Sequence, residues 1–147
     1  MHELKVSDLM TSDVVTLEED EDLELADNIM HLARIRHLPV VNSGFLVGLI
    51  THRDILRAQA SMFSDFSPSE DQEFKRAIKA SDIMISNVTT VEPELSALEA
   101  ARLMHTRKLG CLPVCTNKRL VGILTEADFV SLVIKALEDY QQNEDAE

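Results

Sequence analysis

Apolar residues recur at the helical period twice along the chain. Leu23, Ala26, Ile29, Met30 and Ala33 keep that period in one place; Leu95, Leu98, Ala101, Leu103 and Met104 keep it less cleanly in another. The second of these helices opens on Ser96-x-x-Glu99, the pattern of a capping box. Ahead of each helix lies a β-rich stretch, residues 14–17 or 88–91, and behind each a short apolar strand, 38–41 or 112–115. A polar turn, Asn42-Ser43-Gly44 or Thr116-Asn117-Lys118, leads into a further strand, 45–50 or 120–124. A closing helix starts after Thr51 or Thr125, and a short helical turn N-capped by Ser7 or Ser81 opens each set. Each set therefore reads β-α-β-β-α, a mixed α/β (α+β) fold.

The two sets are one pattern written twice. A shift of 74 residues lays the chain on itself without a gap: Ser7-Asp8-Leu9-Met10 falls on Ser81-Asp82-Ile83-Met84, and Leu38-Pro39-Val40 on Leu112-Pro113-Val114. Leu46-Val47-Gly48 falls on Leu120-Val121-Gly122, and Thr51 and Asp54 on Thr125 and Asp128. Two copies in strict register imply a pseudo-symmetric pair, not a solenoid. The expected organisation is a first unit over 1–60, a linker over 61–76, a second unit over 77–137 and an acidic tail over 138–147. Within the linker region, residues 61–68 read as a loop and 69–80 as a helix capped at Ser69, with Phe63, Phe66 and Phe74 packing it back onto the body. The closing helix of the second copy is apolar over most of its circumference between Phe129 and Leu137. Burial within one chain would explain that, but a self-complementary interface in a homodimer explains it better.

Charge narrows the choice of partner. The 147 residues carry 26 acids against 14 bases, a formal charge of -12, which lacks the basic footprint that nucleic acid requires. Six acids crowd positions 18–24 and five more lie in the last ten residues; such runs are solvated faces or frayed tails. No apolar run approaches the roughly 18–20 residues of a membrane span, and Met1–Lys5 has no signal-like pattern, so a cytoplasmic protein is expected. Cys111 and Cys115 on one strand would stand ~13 Å apart, beyond disulfide reach, and are expected as buried free thiols without a metal.

The chemistry concentrates at the repeated Thr-x-x-Asp, in VGLITHRD (47–54) and VGILTEAD (121–128). Thr followed three residues later by an acid is close to a helix capping box, and a single occurrence would mean no more. Three features add to it here. Gly48 and Gly122 weaken a strand unless something approaches the backbone closely. A strand-to-helix turn offers free backbone N–H groups and the Thr hydroxyl to an anion such as phosphate. An ionised Asp, acceptor only, suits the donors of a ribose diol. Phosphate on one side and ribose on the other describe a nucleotide. No aromatic lies nearby, so a base would be wedged between aliphatic side chains and read by strand backbone.

These motifs, with the strand LPVV (38–41), resemble a tandem CBS domain pair, a Bateman module, over about residues 3–60 and 77–137. The wording IRHLPVV and GCLPV is similar to the CBS half of acetoin-utilisation-type proteins, whose further C-terminal regulatory domain a chain of this length does not accommodate. The resemblance implies two clefts between units that bind AMP, ADP, ATP or S-adenosylmethionine, dimerisation through helices, and a response passed to a partner protein. By position it implies that Thr51 and Thr125 touch phosphate and that Asp54 and Asp128 hold ribose. It also implies that Thr16, Leu38 and Val40, with Thr90, Leu112 and Val114, line adenine pockets. Arg36, His37 and Lys108 are nominated to meet phosphates across the cleft.

The copies differ inside the motif: His52-Arg53 in the first, Glu126-Ala127 in the second. The Asp54 site is therefore expected to take the more phosphorylated ligand, and the Asp128 site to be weaker or to take a neutral nucleoside. An enzyme is not expected: no Gly-rich phosphate loop, nucleophile elbow or metal-spaced His pair is present, and His2, His31, His37, His52 and His105 are scattered. The competing reading is an interaction or dimerisation module without a ligand, in which the Thr-x-x-Asp pairs serve only as caps.

Overall fold

The computed structural model describes residues 3–60 and 67–146. In chain order the elements are α1 (Val6–Leu9), β1 (Leu17–Glu18), α2 (Leu23–Ala33), β2 (His37–Asn42), β3 (Phe45–Thr51), α3 (His52–Ala60) and α4 (Pro68–Ala77). There follow α5 (Ala80–Ile83), α6 (Ala97–Arg107), β4 (Cys111–Thr116), β5 (Arg119–Thr125) and α7 (Glu126–Asp145). The chain mixes strands with helices, as expected of an α/β protein. The chain forms two compact units, Val15–Val88 with Lys118–Leu120, and Met1–Val14 with Thr89–Asn117 and Val121–Glu147.

In the unit built on the first copy, β1 runs parallel to β2 (Leu17 opposite Val40) and β2 antiparallel to β3 (Leu38 opposite Ile50). Ser43 and Gly44 both take positive φ (52° and 87°), as a two-residue hairpin turn that follows the strand twist requires. Phe45 is opposite Arg119, whose guanidinium lies 4.7 Å above the Phe45 ring. Leu17, Leu23, Ala26, Met30, Leu38, Val40, Ile50 and Ile55 form the core, and Ala80 of α5 closes it. The amides of Leu23 and Ala80 tie that segment in, donating to Ile78 O (3.0 Å) and Glu21 O (2.7 Å).

The second-copy unit repeats the plan: Val91, Ala100, Met104, Leu112, Val114 and Leu124 form its core, and Val6 of α1 closes it. Thr11 and Ile123 exchange main-chain bonds of 2.9 Å, as Leu49 and Ile85 do in the first-copy unit. So the opening turn of each copy packs on the core of the other copy.

Several boundaries depart from the sequence pattern, each for a local reason. The β-rich stretches are mostly extended coil; pairing is confined to Leu17–Glu18 and to a single bridge between Val91 and Val114. The opening turns are capped at Lys5 and Lys79 instead of Ser7 and Ser81, because Asp8 and Asp82 reach back to those amides (2.8 and 2.9 Å). Ser96 caps α6 as expected, accepting from Glu99 N (3.0 Å). However, α6 buries Ala97, Ala100 and Met104, and Leu98 faces outward. The linker helix starts at Pro68 with Ser67 as its cap, one of the better uses of proline at a first helical position. Phe74 is half-buried, while Phe63 and Phe66 lie outside the described residues. The acidic residues after Leu137 are exposed, as a tail would be, and continue α7 to Asp145, with no Gly or Pro to stop the helix. Among the described residues, no helix is long and apolar enough to cross a membrane.

Candidate functional site

The turn from β3 into α3 holds Thr51 and Asp54 as a closed pair. Thr51 N–H and Thr51 Oγ1 both donate to Asp54 Oδ2 (2.8 and 2.9 Å), and Asp54 N–H donates back to Thr51 Oγ1 (3.2 Å). This is the reciprocal capping pattern with an acid at its third position. It consumes one carboxylate oxygen only. Asp54 Oδ1 takes no bond from a described residue, and in a half-buried carboxylate it is an acceptor looking for a donor.

The second copy builds the same turn less tightly. Thr125 N–H donates to Asp128 Oδ2 at 2.8 Å, but the hydroxyl reaches it only at 3.4 Å. The Thr125 hydroxyl is therefore the freer of the two to serve an outside partner.

The open row of helix amides anticipated at these turns is mostly occupied. Thr51 N–H is held by Asp54, Asp54 N–H by Thr51, and His52 N–H donates to Arg36 O (2.9 Å). In the second copy Glu126 N–H donates to Gly110 O (3.3 Å). The glycines also have an internal cause. A Cβ at Gly48 would run into Met84 Sδ and stand 3.0 Å from Ile85 O; one at Gly122 would meet Met10 and stand 3.1 Å from Thr11 O. What approaches the backbone at each glycine is the opening segment of the other copy.

The nominated residues divide into groups. Arg36, through its carbonyl, and His37, opposite Thr51 across the β2–β3 ladder, are brought to the Thr51–Asp54 turn. Lys108 is the left-handed cap of α6 (φ 54°), two residues before Gly110, as Arg34 (φ 56°) caps α2 two residues before Arg36. Thr16 is exposed immediately before Leu17, with β2 between it and the strand that ends at Thr51; Thr90 is exposed immediately before Val91. Leu38, Val40, Leu112 and Val114 are fully buried core side chains, so a ligand near them would meet main chain. The correspondence of Arg36 with Gly110 lies outside the Thr-x-x-Asp motif, although the 74-residue shift contains it.

Cys111 and Cys115 are free and buried, and burial pushes the Cys111 thiol up to about 12. Among the described residues no group of three or more His, Cys, Asp or Glu side chains could hold a metal ion.

A family model, the CBS domain, matches residues 6–61 and 80–135. A CBS domain-containing protein of Dictyostelium discoideum is 38% identical over 135 residues, which are 90% of this chain and 93% of that protein. A homoserine O-acetyltransferase of Methanococcoides burtonii is 34% identical over 130 residues, 87% of this chain but 24% of the acetyltransferase. Among solved structures, the acetoin utilization protein AcuB of Vibrio cholerae aligns with a TM-score of 0.82 at 34% identity, covering 96% of this chain and 98% of that one. The CBS domain pair of protein MJ0100, in complex with 5′-methylthioadenosine and S-adenosyl-L-methionine, aligns with a TM-score of 0.76 at 28% identity, covering 92% and 99%. With two matched copies that span most of its length, the chain belongs to the CBS domain family.

Proposed function

We propose that this chain is a regulatory module that binds adenosine compounds without turning them over and passes the event to a separate partner protein. AMP, ADP, ATP and S-adenosylmethionine are the candidate ligands. The observation that carries this reading is the half-used carboxylate at each copy: Asp54 Oδ2 and Asp128 Oδ2 are engaged by their threonines, and Oδ1 remains to accept from a ribose hydroxyl. The MJ0100 pair, whose ligands are adenosine compounds, supports the choice of class. Thr16, Thr90 and the main chain around Leu38, Val40, Leu112 and Val114 are the proposed base-reading edges. Thr51, Thr125, Arg36, His37 and Lys108 are the proposed phosphate contacts, with 1–60 and 77–137 as the functional repeats. Thr51 has to turn its hydroxyl from Asp54 to donate to a phosphate. The homodimer is part of the proposal, as is a cytoplasmic setting, which suits two unpaired cysteines.

Thermal-shift measurement against AMP, ADP, ATP, S-adenosylmethionine and NAD tests it, because a ligand that binds only the native state raises the melting temperature as its concentration exceeds Kd. A rise with at least one adenosine compound, lost in the Asp54→Ala/Asp128→Ala double variant, is expected. A flat response across the panel favours the second reading, an interaction module. The closed Thr51–Asp54 cap is what recommends that alternative, since it stabilises the helix start with no ligand at all.

A further inference from the structure

We infer that the two copies divide their ligands by charge: the first-copy turn takes a phosphorylated adenosine compound, and the second-copy turn takes one whose 5′ substituent is uncharged or cationic. This rests on the adenosine-binding reading above and assigns a ligand class to each of its sites.

The carrying observation is a main-chain contact made twice with different residues. The first amide of α3, on His52, donates to the carbonyl of Arg36; the first amide of α7, on Glu126, donates to the carbonyl of Gly110. Each bond fixes the main chain after the preceding helix beside the Thr-x-x-Asp turn of its unit. In the first copy the two joined segments carry Arg34, Arg36, His37, His52 and Arg53, with Asp54 in the turn. In the second they carry Arg107 and Lys108, then Gly110 and Cys111, with Glu126 and Ala127 ahead of Asp128. The residues next to the turn itself thus change from two arginines and two histidines to one acid and no base.

Arg36 and Arg53 are exposed and make no ion pair among the described residues, in a chain where acids outnumber bases 26 to 14. An acid-rich surface with unpaired arginines gathered at the start of one helix attracts a polyanion there, and the helix dipole adds to it. Glu126 at the matching place repels the same group and attracts a sulfonium or ammonium. Arg36 and Arg53 are accordingly the specificity-determining residues of the first site, and Gly110 and Glu126 of the second. Gly110 lies outside the positive-φ region, so its lack of a side chain is not imposed by backbone conformation.

Calorimetry with ATP, 5′-methylthioadenosine and S-adenosylmethionine tests the division, with far-UV circular dichroism confirming that each variant is folded. ATP is expected at one site per chain, abolished by Asp54→Ala and kept by Asp128→Ala. Arg36→Ala/Arg53→Ala should weaken ATP about tenfold or more. Raising salt from about 0.05 to about 0.5 M should weaken ATP while leaving 5′-methylthioadenosine unmoved. The two uncharged or cationic probes should be abolished by Asp128→Ala. The reverse exchange, Gly110→Arg/Glu126→His/Ala127→Arg, should create a second ATP site. ATP affinity unchanged in Arg36→Ala/Arg53→Ala, or ATP lost in Asp128→Ala, overturns the division while leaving adenosine binding intact. Absence of heat with all three probes overturns the adenosine reading itself, and the division with it.

Discussion

Gly48 and Gly122 sit three residues ahead of the threonines that open α3 and α7, where a strand glycine looks like room left for a ligand. The structure gives that room to Met84 and Ile85 in one unit and to Met10 and Thr11 in the other. The sequence shows that something comes close at these positions, but spacing does not identify what. Gly48→Ala is expected to cost about 1–3 kcal/mol, the ordinary range for overpacking a filled site. In urea denaturation, the Gly48→Ala/Met84→Ala double variant should lose less than the two single losses added together. Strict additivity would mean that Met84 is not what the new methyl meets. The cysteines make a second prediction at this scale. Burial raises Cys111 from 9.0 to about 12, and raises Cys115 above 9.0 for the same reason. The unfolded chain therefore gives up these protons first, so stability is complete below pH 9 and falls as pH climbs from 9 toward 12. Native protein at mildly alkaline pH should also leave a disulfide reagent unconsumed until denaturant is added; two thiols reacting at once would contradict their burial.

Helix α4 buries none of its residues, and charged groups attach it to α2. Lys75 Nζ lies 2.7 Å from Asp27 of α2 and 3.3 Å from Asp71 of α4, Arg76 pairs with Glu24, and Gln59 of α3 donates to Asp71 (2.8 Å). Burial opposes the charge on Lys75, but the bonds and charges of Asp27 and then Asp71 outweigh it and leave its pKa above 10.5. Asp71 is held below 3.8, first by the Gln59 bond, against some desolvation, and then by Lys75. Its contribution is thus fully present above about pH 4 and is lost as pH falls through its lowered native value. With the Lys75 side chain only 12% exposed, Lys75→Ala should loosen α4 by about 1 kcal/mol, seen as roughly fivefold faster amide exchange confined to residues 70–77. Uniform acceleration across the first-copy core would instead make α4 part of the global fold. Apart from the stretch 88–91, which forms only a single bridge, the elements and their order could be read from periodicity, and hairpin edges to within a residue. The destination of α1 and α5 could not. Ser-Asp-Leu-Met and Ser-Asp-Ile-Met are near copies, so the local pattern does not tell which core each segment joins; in the structure each joins the other copy's core.

At the scale of the molecule, the described residues of α7 carry an exposed apolar stripe. Phe129 packs against the second-copy core, but Val130, Val133, Ile134 and Leu137 of α7 remain 56%, 53%, 51% and 61% exposed. Their spacing places them on one face of the helix, and Tyr140 extends it by a turn. A contiguous row of aliphatic side chains on water is uncommon in a monomer, and full burial of each is worth about 1.5–3 kcal/mol. A two-fold contact uses the row twice, which is why a second copy of this helix is the expected cover. The chain should therefore sediment as a dimer, with a melting temperature that rises with protein concentration. Val133→Glu/Ile134→Glu puts two charges per chain into that contact and should weaken association at least a hundredfold, about 2.7 kcal/mol or more. Because both side chains already face outward in the single chain, the variant should keep its far-UV circular dichroism and sediment as a folded monomer. Wild-type protein that stays monomeric at high concentration would remove the dimer from the proposed function. A variant that unfolds on dissociating would instead show that neither unit of this pair stands without its partner copy.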